Sequence, residues 1–338
     1  MPKNVTLTVV EQSPVRKGGS GADALRETIE LAVACEALGF ERFWVAEHHN
    51  VAGIASTSPE ILIGQIGAAT STIRVGSGGV MLPHYSAFKV AENFRMLETL
   101  FPGRIDLGLG RAPGGDPRTM IALSYPANPI DVRAYPEQVE DLIGHLGDSL
   151  DPDHPFATLK AGPPTEGAPE VWLLGSGVES AQLAARRGLP FSFAHFFGNS
   201  DQGPAIVEHY RRHFQPSAEL AEPLAHVAVQ VLCADTTEEA DWHASSMKLG
   251  RIQMARNQGG TGIVSPEEAA QHVFTPEEEH FLQHSGMRAS VGNQNEVVAE
   301  LDGISDLYGT DLLGVVSICY DFRARLHSFE LLADAYLE

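Results

Sequence analysis

The stretch "IRVGSGGVMLPHYSAFKVAENFRMLETLFPGRIDLGLG", residues 73–110, has the pattern of a strand, a helix and a second strand. Its two ends are short, mostly apolar and glycine-containing runs, as is typical of parallel strands that are buried on both faces. Because a helical connection joins strands that run in the same direction, the stretch predicts one unit of a parallel α/β sheet. The helical part places four apolar residues on one face: Phe88, Ala91, Phe94 and Leu97.

The same alternation continues on both sides of this stretch. An α/β fold of the (β/α)8 TIM-barrel type with insertions is predicted, because eight strand–helix units fit within 338 residues. A doubly wound open sheet is the alternative, but it usually has fewer strands and often a GxGxxG loop after the first, where this chain has "EQSPVRKGG". The predicted strands are residues 4–10, 41–47, 73–82, 103–110, 171–177, 191–197, 226–234 and 312–319.

The chain shows no internal repeat, low-complexity tract or linker, so residues 1–338 are predicted to form a single domain. The stretch 251–291 breaks the alternation of strands and helices, and we predict that it is an insertion.

Composition and charge exclude several classes of protein. The formal net charge of −21 argues against nucleic acid as a partner, because binding to phosphates requires a positive surface. The three cysteines are too few and too widely spaced for a disulfide framework or a zinc site, which favours a reducing compartment. The N-terminal segment is too polar for a signal peptide, and no run of about 18 apolar residues could span a membrane. We therefore expect a cytoplasmic protein without a membrane partner.

Polar residues follow the second strand at the end where TIM barrels carry their active sites. In "WVAEHHN", residues 44–50, adjacent histidines point to opposite sides, so they cannot serve one metal ion, and no metal site is predicted. We expect His48 to face the barrel mouth as an acid, base or hydrogen-bond donor, and His49 to be structural. Glu47 is expected to orient His48 or to bond to a backbone N–H. The alternative is an ordinary buried histidine without a catalytic role.

The end of the sixth strand, "AHFF", should lie on the same face of the barrel. His195 is therefore predicted to line an apolar substrate pocket together with Phe196 and Phe197; the alternative for the phenylalanine side chains is packing in the core.

Two glycine-rich segments also lie at predicted strand ends. In "GSGGVMLP", residues 76–83, glycine allows the backbone to approach a flat ligand, or it marks a bulge in the strand. In "LLGSGVES", residues 173–180, the chain passes through glycines into a helix whose first N–H groups favour an anion. Ser176 and Ser180 add hydroxyl donors, and Arg111 at the neighbouring strand end favours phosphate over an ordinary tight turn.

Four segments of the chain together resemble the bacterial luciferase-like monooxygenases, and within them the FMN-linked, alkanal monooxygenase-like single-component branch. The resemblance covers essentially the whole chain, and its specificity comes from the combination of motifs at successive strand ends. The segments are "ERFWVAEHHN", "IRVGSGGVMLPHYSAFKVAENFRMLE", "PGRIDLGLGRAPGGD" and "WLLGSGVESAQLAARRGLPFSFAHFF".

The resemblance implies a luciferase-like (β/α)8 barrel in which His48 is the catalytic histidine, with Glu47 beside it. It places a non-proline cis peptide between Gly78 and Gly79, beneath the flavin ring. The stretch 251–291 corresponds to a variable, mobile insertion that acts as a lid. The implied cofactor-binding residues are Ser77, Gly78, Gly79, Met81, Arg111, Gly175, Ser176, Gly177 and Ser180.

The activity that the resemblance implies is oxygenation of a small organic substrate, such as an aldehyde or another apolar molecule, with dioxygen and reduced FMN. A separate flavin reductase would supply the reduced FMN, and relatives of this kind form homodimers. Gly110 stands where light-emitting subunits carry a reactive cysteine, so we expect no luminescence. A deazaflavin-dependent dehydrogenase on the same fold and a non-catalytic flavin-binding protein are the alternatives.

Overall fold

The predicted barrel is confirmed by a computed structural model, which describes residues 3–111, 116–127, 129–197, 200–256, 262–285 and 287–337. Eight parallel strands form a closed ring in the order β1 to β7 and then β9, which pairs with β1 again. The strands of the described residues are β1 (Thr6–Glu11), β2 (Arg42–Val45), β3 (Arg74–Met81), β4 (Ile105–Gly110), β5 (Glu170–Gly175), β6 (Phe191–Ala194), β7 (Ala225–Ala234), β8 (Ala289–Asn293) and β9 (Leu312–Val316).

Helices connect the strands and surround the barrel, and most begin at a side-chain cap. Ser20 forms a capping box with Asp23 at the start of α1, and Asp321 accepts the Ala324 N–H at the start of α12. Within the described part of the chain, no helix has both the length and the hydropathy that crossing a bilayer requires. The helices are α1 (Gly21–Ala37), α2 (Pro59–Ala69), α3 (Ala87–Leu100), α4 (Pro117–Ser124), α5 (Tyr135–Leu146), α6 (Val178–Arg187), α7 (Gly203–Arg212), α8 (Thr237–Ala255), α9 (Pro266–Ala269), α10 (Pro276–His284), α11 (Gln294–Tyr308) and α12 (Phe322–Tyr336).

The stretch 251–291 contains more regular structure than the sequence indicated. Helix α8 continues into it as far as Ala255, α9 and α10 lie within it, and β8 begins at its end. Residues 257–261 and 286 of the stretch lie outside the described residues. Strand β8 was not predicted; it pairs with the outer half of β7, from Gln230 to Ala234, and is not part of the closed ring.

A charged cluster closes the amino-terminal end of the barrel. The Asp106 carboxylate is fully buried and accepts hydrogen bonds from Arg42 Nη1 at 3.0 Å, Trp44 Nε1 at 2.8 Å and Arg74 Nε at 2.9 Å. Above it, the indoles of Trp44 and Trp172 pack edge to face at 5.1 Å. With this end filled, the functional groups of the barrel are left to the carboxyl ends of the strands.

A second buried ion pair joins the first strand to the last helix. Arg325 Nη1 lies 3.1 Å from Glu11 Oε1, and both side chains are 1% exposed. The same carboxylate accepts hydrogen bonds from the Ser13 N–H at 2.9 Å and the Thr28 hydroxyl at 3.0 Å. Glu11 therefore links β1, α1 and α12 at one point inside the fold.

Candidate active site

His48 follows β2 and is held by a residue at the end of β1. Its Nε2 lies 3.0 Å from Gln12 Oε1, and its backbone N–H donates to the Ser56 carbonyl at 3.0 Å. Because an amide oxygen can only accept, Nε2 carries the proton and Nδ1 is left with its lone pair. Burial lowers the pKa of His48 below its ordinary value of 6.5, so the imidazole is neutral at neutral pH. The side chain can therefore accept a proton at Nδ1.

Glu47 ties the ends of β2 and β3 together. Its Oε2 accepts the Met81 N–H at 3.0 Å, while Oε1 lies 2.7 Å from His49 Nε2 and 2.6 Å from the Tyr85 hydroxyl. Of the two roles expected for Glu47, the structure shows the bond to a backbone N–H, and the ring that it holds is that of His49 rather than His48. Burial and the carboxylate of Glu47 raise the pKa of Tyr85, which keeps its hydroxyl protonated as the donor.

The peptide between Gly78 and Gly79 is cis, as the family resemblance implied. The strand also shifts register against β4 between Ser77 and Val80, so the interpretation as a bulge is correct as well. A Cβ on Gly78 would lie 3.1 Å from the Trp44 Cβ, so this glycine faces the barrel interior. The two glycines thus present bare backbone above the tryptophan layer.

We expect Gly79→Ala to destabilise the barrel by about 1–3 kcal/mol, the usual range for overpacking. A Cβ at Gly79 would lie 2.6 Å from the Gly108 carbonyl oxygen, a backbone atom that cannot move without shifting β4. Urea denaturation measures the loss. The matched control is Gly303→Ala in α11, where no atom lies within 4 Å of the added Cβ and where removing glycine from a helix should be neutral or stabilising. Equal stability of the two variants would contradict the prediction.

The start of α6 has the features of an anion site. Gly177 is the N-cap residue. Because glycine has no side chain, it cannot accept a hydrogen bond from the N–H groups of the first turn. Ser180 is buried in this turn and packs so closely on Gly175 that a Cβ there would lie 2.6 Å from the serine hydroxyl. The N–H groups and the helix dipole both favour a phosphate at this position.

Arg111, at the end of β4, reaches the same place because β4 pairs with β5. Its Nη2 lies 3.7 Å from Glu179 Oε2 in the first turn of α6, beyond normal hydrogen-bond length. The side chain is 40% exposed, so its guanidinium is accessible to a ligand. The structure therefore brings together Arg111, Gly175, Ser176, Gly177 and Ser180, as predicted for a phosphate site.

Two predicted cofactor residues use their polar groups within the protein. The Ser77 hydroxyl donates to the Gly108 carbonyl at 2.9 Å, and the Met81 N–H donates to Glu47. Both are buried beside the two glycines, so any contact that they make to a ligand must come from their other atoms.

Two of the predicted pocket residues, His195 and Phe197, do not face the barrel interior. His195 Nδ1 lies 2.8 Å from the Tyr308 hydroxyl of α11, and Phe193, on the same side of the chain, packs against the same ring at 5.7 Å. Phe197 is 63% exposed. Phe196 instead packs on the interior cluster that contains the two tryptophans, so it is the better candidate for a pocket wall. Alternation along the chain, extended past the end of β6, distinguishes Phe196 from its two neighbours.

Among the described residues, no three His, Cys, Asp or Glu side chains lie close enough together to hold a metal ion. At the carboxyl ends of the strands the fold places a histidine, a bare backbone surface and a helix start suited to an anion.

Comparison with known proteins gives a consistent result. The sequence profile of the family described as luciferase-like monooxygenase matches residues 5–310. A luciferase-like monooxygenase of Escherichia coli K12 is 38% identical over 332 residues, which cover 98% of this chain and 97% of that protein. An N-acetyl-S-alkylcysteine monooxygenase of Bacillus subtilis is 36% identical, with 98% of each chain covered. The crystal structure of apo-MsnO8 superimposes with a TM-score of 0.87 at 37% identity, covering 99% of this chain and 98% of that one.

A family profile that spans most of the chain, together with relatives of this identity over nearly their full length, identifies the protein's family. The chain belongs to the luciferase-like monooxygenases.

Proposed function

We propose that the protein is a flavin-dependent monooxygenase that uses reduced FMN and dioxygen to oxygenate a small organic molecule. The observation that carries the proposal is that two features lie at adjacent strand ends. One is a helix start suited to an anion, and the other is a glycine backbone surface without side chains, which lies on the filled interior of the barrel. Family membership supports the same conclusion.

The residues present fit a phosphorylated flavin. Arg111 and the first turn of α6 offer a guanidinium, N–H groups and a hydroxyl to the phosphate. Gly78 and Gly79 lie one strand away on β3 and leave space for a flat ring, because neither carries a side chain. These groups would bind the cofactor by its two ends.

Bound reduced FMN would supply the electrons with which dioxygen is activated. His48, neutral and with Nδ1 unprotonated, would accept the proton that the reaction releases or return one to the product. Glu47 would hold the rim between β2 and β3 in place through Met81 and Tyr85. The stretch 251–291 would act as a lid that excludes water.

Other features of the proposal rest on the family resemblance and on the composition of the chain. We propose a homodimer in the cytoplasm that receives reduced FMN from a separate flavin reductase and emits no light. Aldehydes and other apolar molecules are candidate substrates, and so are thioethers, because the Bacillus relative is named for one.

Titration with FMN tests the proposal at its phosphate site. Arg111→Ala should weaken FMN binding by about 1–3 kcal/mol, as expected for a charge-assisted contact. Fluorescence quenching of the flavin measures the affinity. Arg186→Ala, which removes an exposed arginine from the far end of α6, is the matched control and should bind FMN normally. Failure of the wild-type protein to bind FMN in either redox state would refute the proposal.

Spectra and oxygen consumption separate the alternatives. A deazaflavin-dependent dehydrogenase would bind deazaflavin in preference to FMN and would transfer hydride without consuming oxygen. A storage or sensing protein would bind FMN but form no oxygenated product from any of the aldehydes, ketones and thioethers supplied.

A further inference from the structure

Arg251 extends from α8 toward the mouth of the barrel. It lies one turn after Met247, which packs on Leu232 at the end of β7, so both side chains point the same way. Its Nη2 donates to Gln230 Oε1 at 2.6 Å, and its Nη1 donates to the Met287 carbonyl at 3.3 Å. The guanidinium is thus attached to β7 itself.

Gln230 faces the inside of the barrel. On β7, His226 bonds to Thr8 across the interior at 2.8 Å, and Ala228 packs with Trp44 in the interior cluster. Since side chains of a strand alternate, Gln230 is the next inward residue, and it lies where β7 makes its last pairing with β9. Its side chain is almost completely buried. Arg251 therefore lies over the carboxyl end of the barrel interior.

The charge of Arg251 has no counterion in the described part of the protein. Both of its partners are neutral, and burial lowers the pKa of Arg251 with no acidic group acting to raise it. The guanidinium nevertheless stays protonated, as arginine does in proteins.

Neutral acceptors position a guanidinium without neutralising it. Arg251 has five N–H donors, and two of them bond to Gln230 and Met287. Among the described residues no other protein acceptor bonds to Arg251. A partly buried cation without a counterion is costly, and an anionic ligand offsets that cost. A carboxylate matches the fork of N–H groups in shape as well as in charge.

The position of Arg251 relates it to the proposed flavin surface. In the ring of eight strands, β7 lies opposite β3, with β4, β5 and β6 between them on one side and β9, β1 and β2 on the other. A molecule whose charged group is bound at Arg251 would extend across the mouth toward Gly78 and Gly79. The phosphate site at β4 and β5 lies to one side of this line, so the two anions need not compete.

We propose that the substrate is an organic anion of the carboxylate class, and that Arg251, held by Gln230, binds its charged group. This inference rests on the proposed flavin-dependent function and narrows it, because it excludes neutral apolar molecules as the preferred substrates.

The test uses acid–amide pairs of matched shape as probes, from butanoate and butanamide to octanoate and octanamide. Calorimetry with the FMN-loaded wild-type protein should show at least one acid binding about tenfold or more tightly than its amide, as a charge-assisted pair gives. Arg251→Met should abolish that preference, and Arg251→Lys should retain part of it. Lys248→Met is the matched control, because it removes a positive charge from the same helix where Lys248 pairs with Asp241 at the surface.

FMN affinity is measured first for every variant. Loss of FMN binding by the wild-type protein would count against the proposed function. Normal FMN binding with no preference for any acid, or a preference that survives in Arg251→Met, would overturn the present inference alone.

Discussion

His48→Ala should bind FMN with unchanged affinity and yet lose oxygenation, with a fall of about 10²–10⁴-fold in the rate of product formation, the usual contribution of a general acid or base. The reason is that Nδ1 of His48 is the proton acceptor that we propose at the end of β2, while its other nitrogen is engaged by Gln12. The ratio of oxygenated product to hydrogen peroxide, measured with reduced FMN supplied by a reductase, reports the loss. We expect peroxide to replace product.

The matched control for this variant is His213→Ala, which removes an exposed histidine from the end of α7. It should keep the wild-type ratio of product to peroxide. An unchanged ratio in His48→Ala would remove His48 from the mechanism.

The pH dependence of oxygenation follows from the same group. Because burial lowers the pKa of His48, the imidazole is protonated only at a pH below its ordinary 6.5. A proton acceptor must be unprotonated, so the rate should be constant near neutral pH and fall as the pH is lowered through that depressed pKa. In His48→Ala this acid limb should be absent.

Arg325→Met should destabilise the fold by about 3–5 kcal/mol, since removing one partner of a buried ion pair leaves the other charge uncompensated. The charge left behind is the carboxylate of Glu11, which is 1% exposed. Methionine retains most of the volume of the lost side chain, so the effect is mainly electrostatic. Urea denaturation followed by far-UV circular dichroism measures it.

Arg323→Met provides the comparison two residues away on the same helix. Arg323 is 79% exposed and lies 3.8 Å from Glu30, so its loss should change the free energy of unfolding by no more than about 1 kcal/mol. A similar loss in the free energy of unfolding of the two variants would show that the buried ion pair stabilises the fold no more than the exposed one.

The barrel could be predicted because its strands are continuous apolar runs with helical patterns between them. Strand β8 could not, because "ASVGN" is short and polar, and only its pairing with β7 makes it a strand. Two missed helices did carry readable signals. Asp116 followed by proline marks the start of α4, and the capping box of Thr275 and Glu278 marks the start of α10.

The candidate site was predictable where its residues follow one another in the chain. Glu47, His48 and the glycine pair are of this kind. The contacts that define their roles join distant segments: Gln12 holds His48 from 36 residues away, and Glu11 meets Arg325 across 314 residues. One sequence without relatives gives no signal for such pairings, because side-chain direction and partner are set by packing.

Strand β7 changes its pairing partners along its length. Its first residues, up to Gln230, pair within the closed ring, and its last residues pair with β8 beyond the rim. The segment from α8 to β8 therefore follows β7 in the chain and ends by pairing with the outer half of β7, outside the closed ring. We expect chimaeras that exchange this segment to preserve the register of the barrel strands, because no strand of the closed ring lies within it.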